Sequence, residues 1–205
     1  MSKIKVITVL LGAIMLFTIM TKERDSNSLH IKLHSDATIL AFGDSITYGF
    51  GVAEEDSYPA QLQKRTGIRV INGGVSGEES SEGLERLPKL LEQKPDLVIL
   101  CHGGNDIIRK RSDEKLKTNL TKMVEIIKAS GAEVLLVGVP NFGLLGFSTH
   151  SIYAEVAKET EVFFEEDVLS KVLSKNELKI DYIHPNAKGY KIIVDAVVKY
   201  LKTVE

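Results

Sequence analysis

Two short stretches far apart in the chain carry residue types suited to acyl transfer: Gly43-Asp44-Ser45 and Asp181-Tyr182-Ile183-His184-Pro185. A serine hydroxyl is a poor nucleophile until a base takes its proton. An imidazole changes charge near neutral pH and suits that task. Asp181 stands three residues before His184, close enough for its carboxylate to accept a hydrogen bond from one ring nitrogen. Such a bond fixes the tautomer and leaves the other nitrogen for a hydroxyl. An isolated Asp-x-x-His also fits a surface turn ahead of a helix, so its reading depends on what would bring Ser45 beside it.

The elements that must do so are legible as apolar runs. Thr38–Phe42, Arg69–Ile71, Asp96–Cys101 and Glu133–Val139 read as four strands, with Val162–Phe164 as a short fifth. They are continuously apolar, as strands covered on both faces should be. Helical patterns separate them. Leu84, Leu87, Leu90 and Leu91 share one face, and Leu116, Leu120, Met123, Val124 and Ile127 form a second stripe. Gly131 is placed to stop that second helix. A last helix is expected over 186–202, with Tyr190, Ile193, Val194, Val197 and Leu201 inward. Strands alternating with helices imply an α/β fold: an open parallel sheet with helices on both faces.

Ligands bind such sheets outside the carboxyl ends of the strands. The residues that follow the first four strands are Gly43-Asp44-Ser45, Asn72-Gly73-Gly74-Val75-Ser76-Gly77, His102-Gly103-Gly104-Asn105-Asp106 and Pro140-Asn141-Phe142-Gly143. Each is a Gly-rich polar segment in which backbone N–H groups can approach a ligand. Any one is commonplace; four on one rim point to a site.

Gly43-Asp44-Ser45-Ile46, Gly77, Gly103-Gly104-Asn105-Asp106 and Asp181-x-x-His184-Pro185 resemble, in order and spacing, the sequence blocks of the SGNH (GDSL-type) hydrolases. The likeness runs from about Thr38 to the C-terminus, includes Leu84-x-x-Leu87-Pro88, and is greatest to the thioesterase I/arylesterase/lysophospholipase L1 branch. It implies a three-layer, flavodoxin-like α/β sandwich on a five-stranded parallel sheet. It also implies a serine esterase acting on acyl esters or thioesters without metal or organic cofactor. Ser45 matches the nucleophile, Asp181 the acid and His184 the base. The Ser45 N–H, Gly77 N–H and Asn105 side-chain amide match the oxyanion donors. Asp44 reads as a structural carboxylate that holds its turn. Two alternatives on the same fold are a carbohydrate O-acetylesterase and a catalytically inactive binding protein.

The segment Val139–Phe147 is unusually apolar for a strand end. Phe142, Leu144, Leu145 and Phe147 are expected to line an acyl site, the alternative being that they fill the core. Gly73-Gly74-Val75-Ser76-Gly77 could instead cradle phosphate. It lacks the dinucleotide and Walker patterns, however, and Glu78-Glu79 behind it should repel an anion. No Gly-x-Ser-x-Gly elbow is present, which argues against the larger α/β-hydrolase fold.

With 205 residues, 43% of them hydrophobic and 26% charged, the chain suits one globular domain, expected over 37–205. A net charge of -2 carries no footprint for nucleic acid. The single cysteine, Cys101, ends an apolar run and reads as a small buried hydrophobe. At the N-terminus, Lys3 and Lys5 precede the apolar stretch Val6–Met20, the pattern of a signal peptide. Residues 1–28 are therefore read as an export signal or an uncleaved membrane anchor plus linker. The expected location is periplasmic or extracellular, with any membrane attachment through this segment alone. The expected partner is a small-molecule or lipid ester.

Overall fold

The computed structural model describes residues 30–143 and 147–204. Five parallel strands form the central sheet: β2 (Thr38–Gly43), β3 (Arg69–Gly74), β4 (Leu97–Cys101), β5 (Glu133–Val137) and β6 (Phe163–Glu165). Their order is β3-β2-β4-β5-β6. That is the flavodoxin-like order, with its switch point where β2 is flanked by β3 and β4. Ile39, Leu40, Ala41 and Phe42 of β2 and Leu97–Leu100 of β4 have no exposed surface. These central strands are covered on both faces, as their unbroken apolar runs require.

Helices α1 (Ser45–Tyr48), α2 (Tyr58–Thr66), α3 (Ser80–Leu91), α4 (Gly104–Ile108), α5 (Asp113–Ala129), α6 (Ser151–Thr160), α7 (Val168–Leu173) and α8 (Ala187–Val198) complete the described domain. On one side α3, α5 and α6 pack together; on the other, α8 packs against α2 and α7. The five side chains expected to face inward from α5 are all buried. Each buried Leu, Ile or Val contributes about 1.5–3 kcal/mol, so this stripe, more than helix propensity, fixes where α5 lies. Local chemistry sets the ends of α2. The Ser57 hydroxyl accepts from Ala60 N–H at its start, and Gly67, at φ 73°, closes it.

Three expectations change. The last helix ends at Val198, and Leu201 belongs instead to strand β7 (Leu201–Val204). Strand β7 pairs in parallel with β1 (Ile31–His34), an element not anticipated. Ile31 and Leu33 are buried while Lys32 and His34 face out. The folded unit thus begins before residue 37. The second strand is also longer than its apolar part: Gly73 and Gly74 stay in the ladder opposite Phe42 and Gly43. A side chain on Gly74 would collide with the backbone of Tyr48, so glycine there lets α1 sit against β3.

The expected export segment, residues 1–28, lies outside the described residues. Among the described residues no helix is long and apolar enough to cross a membrane.

Candidate active site

Ser45 is the first residue of α1, directly after the carboxyl end of β2. Asp44 shapes this turn. Its carboxylate accepts from Ile46 N–H at 3.2 Å and from Gly104 N–H at 3.2 Å, binding the turn to the start of α4. Burial pushes the Asp44 carboxyl upward, against the opposing influence of His102 and these two N–H donors.

His184 reaches Ser45 from a loop between α7 and α8. The loop is held closed by Ile180 N–H bonding the His184 carbonyl and by a bridge between Lys179 and Pro185. Within it Asp181 accepts from Ile183 N–H and His184 N–H through one carboxylate oxygen, each at 2.8 Å. The other oxygen lies 2.7 Å from His184 Nδ1, and His184 Nε2 lies 3.0 Å from Ser45 Oγ. A carboxylate only accepts, so Nδ1 carries the proton and the Nε2 lone pair faces the hydroxyl. Burial works to raise the Asp181 carboxyl. The His184 ring and the two backbone N–H groups outweigh it and hold the group below its ordinary value. His184 is nearly buried, with the ring of Phe50 tilted against it at 4.4 Å. The sequence analysis does not single out Phe50; its one signal there is an aromatic residue five positions after Ser45.

Two of the three expected oxyanion donors, Ser45 and Asn105, border the same cleft; Gly77 is not among its lining residues. Asn105 lines it together with Ser45, Ile46, Ile108, Phe142 and Ile183. One Asn105 Nδ2 hydrogen goes to the Glu78 carbonyl at 3.0 Å. An amide nitrogen has two, and the second meets no acceptor among the described residues. Gly77 precedes Glu78 in a four-residue turn closed by Glu78 N–H and the Val75 carbonyl. Its φ of 83° lies where non-glycine residues are strained. Neither Ser45 N–H nor Gly77 N–H meets an acceptor among the described residues.

The acidic pair Glu78-Glu79 does not present free charge to the loop. Glu78 binds Arg86 through both carboxylate oxygens and His102 Nε2 at 3.0 Å. Glu79 binds Arg109 and Arg111. The expectation that these carboxylates repel anions is therefore corrected: each is neutralised by arginine. Phe142 lies on the cleft wall, partly buried against the core. Phe147 is one step removed, edge-on to Phe142 at 6.3 Å and 5.2 Å from Tyr182. Leu144 and Leu145 lie outside the described residues. Among the described residues no group of three or more His, Cys, Asp or Glu side chains is placed to hold a metal ion.

An open parallel sheet with a Ser–His–Asp chain of hydrogen bonds at its switch point has the architecture of a serine hydrolase. Residues 41–192 match the model of the GDSL-like Lipase/Acylhydrolase family. An arylesterase of Vibrio mimicus is 34% identical over 174 residues, covering 80% of this chain and 87% of that protein. The thioesterase 1/protease 1/lysophospholipase L1 of Escherichia coli K12 is 34% identical over 176 residues, covering 80% and 83%. The solved structure of the psychrotrophic esterase EstA from Pseudoalteromonas sp., inhibited by monoethylphosphonate, superposes with a TM-score of 0.71. It is 30% identical, covering 80% of this chain and 96% of that one. The chain belongs to the GDSL (SGNH) acylhydrolase family and is an ester-hydrolysing enzyme.

Proposed function

We propose that the chain hydrolyses carboxylic esters or thioesters of acyl chains through an acyl-enzyme on Ser45. The reading rests on one observation above the others: the unbroken hydrogen-bond chain from Asp181 through His184 to Ser45. His184 Nε2 takes the hydroxyl proton as Ser45 Oγ bonds the ester carbonyl carbon. The Ser45 N–H, Gly77 N–H and free Asn105 amide hydrogen stabilise the carbonyl oxygen as it gains negative charge. When the tetrahedral intermediate collapses, the alcohol or thiol leaves with the proton from His184. Water, activated by the same imidazole, then attacks the acyl group; the acid departs and Ser45 recovers its proton.

Preference for an acyl chain is supported by the apolar cleft wall of Ile46, Ile108, Phe142 and Ile183 beside Ser45. The names of the relatives, an arylesterase and a thioesterase/lysophospholipase, point the same way. The basic and then apolar sequence of residues 3–20 supports export from the cytoplasm, with cleavage or retention of that segment both compatible with it.

Two measurements test the proposal. A fluorophosphonate probe should label the native chain and fail to label Ser45→Ala. In a p-nitrophenyl series from acetate to palmitate, kcat/KM should rise beyond acetate. An acetyl-only profile would refute the acyl preference and favour an O-acetylesterase.

A further inference from the structure

Next to Asn105 lies a largely buried group of charged and polar side chains that the hydrolysis steps above do not use. Glu78, His102 and Arg86 form it. The Glu78 side chain is only 6% exposed and His102 is fully buried. His102 Nδ1 accepts from Gly103 N–H at 2.8 Å, so its other nitrogen carries the proton and donates to Glu78 Oε2. Arg86 binds both Glu78 oxygens, at 2.7 and 2.6 Å, and gives a third hydrogen bond to the Gly73 carbonyl at 3.0 Å. The Glu78 carboxylate is thus gripped from two sides, by a helix and by the segment that leads to Asn105. Removing one partner of such a buried pair leaves an uncompensated charge, so the grip is not readily released.

The main chain of the same residue touches the site. Its carbonyl accepts the Asn105 amide hydrogen that does not face the cleft, and its peptide nitrogen closes the turn that carries Gly77. We infer that Glu78 is a positioning residue: its ion-paired side chain fixes the peptide that aims the Asn105 amide at the reacting carbonyl oxygen. The inference rests on Asn105 being an oxyanion donor, as proposed above. A donor displaced by a fraction of an ångström loses much of its value, because the interaction is needed where charge develops in the transition state. Loss of the grip should therefore lower kcat and leave KM nearly unchanged.

A double-variant cycle on p-nitrophenyl butyrate separates positioning from general destabilisation. Glu78→Gln should lower kcat roughly 10–100-fold in the native background, with KM within about twofold. In the Asn105→Ala background the same change should cost less than about threefold, since the group it acts through is gone. Equal factors in both backgrounds overturn the inference while leaving Asn105 as a donor. Wild-type turnover in Asn105→Ala removes the donor assignment, and the inference with it. Arg86→Gln provides a second route should Glu78→Gln not fold. Its side chain is 26% exposed, and it should show the same dependence on Asn105. An Arg86→Gln kcat equal to wild type, or one reduced by the same factor with and without Asn105, also overturns the inference.

Discussion

His184 Nε2 lies 3.0 Å from Ser45 Oγ, across a sequence separation of 139 residues. Both residues stand at the carboxyl edge of one sheet, one directly behind β2 and the other in the loop before α8. That loop is shaped by its own hydrogen bonds, so the imidazole is held ready for the hydroxyl before substrate arrives.

Ser45→Ala or His184→Ala should each remove roughly 10⁴- to 10⁶-fold of kcat, and the double variant should be little worse than either alone. Thermal melting of Ser45→Ala should stay close to wild type, since its side chain makes a single hydrogen bond at the cleft. Independent, multiplying losses in the double variant would show that the two groups do not act as one unit.

The two proposed loop donors differ in what else they support. Asn105→Ala should lower kcat roughly 10²–10³-fold, with a stability loss of about 1 kcal/mol for the bond to the Glu78 carbonyl. At Gly77 a methyl group would have open space, its nearest neighbour being Arg109 Nη2 at 3.9 Å. Gly77→Ala should therefore cost about 1–2 kcal/mol of backbone strain alone, together with a fall in kcat. Urea unfolding and steady-state kinetics on the same preparations check both.

Acid should unpick the Glu78 grip. Burial works to raise this carboxyl, but Arg86 and His102 hold it at about 2, below its ordinary 4.5. A lowered folded-state value favours the folded state above pH 4.5, and that contribution disappears as pH falls through about 2. The difference corresponds to about 3 kcal/mol. Urea unfolding of wild type and Glu78→Gln at pH 6, 4 and 3 should show a gap that narrows on acidification. A gap constant with pH would show that the charge of Glu78 does not stabilise the fold.

Gly83 in α3 provides a test with an unusual sign. Alanine is ordinarily favoured over glycine inside a helix by about 1 kcal/mol. Here its methyl group would collide with His102 Nε2. That ring is pinned by Glu78 on one side and by Gly103 N–H on the other. Gly83→Ala should therefore destabilise by about 1–3 kcal/mol net, as overpacking does. A higher Tm than wild type would show that the ring yields.

Much of this architecture is readable from the chain. Residues 97–100 and 134–137 are apolar without interruption because both sheet faces are covered, so these strands announce themselves. The turn residues behind them are equally legible, since Gly43-Asp44-Ser45 and Gly103-Gly104-Asn105-Asp106 end strands. The pairing of Ile31–His34 with Leu201–Val204 is hidden: the two segments lie far apart in the chain, and each is four residues long. Ile31 and Leu33 did carry a period of two, the signature of a half-covered strand. Leu201 fell in phase with the stripe of α8 and so read as one more helical turn. The Glu78 partners were beyond reach for another reason. Arg86 and His102 are 8 and 24 residues away, and only tertiary packing selects them from the many other cations and histidines.

The parallel register of β1 and β7 also bears on how the domain would respond to tension. Ile31 opposes Leu201 and His34 opposes Val204, so the outer end of one strand lies beside the inner end of the other. Pulling residue 31 against residue 204 slides the strands past each other and strains every rung of the ladder at once, instead of opening the rungs one after another.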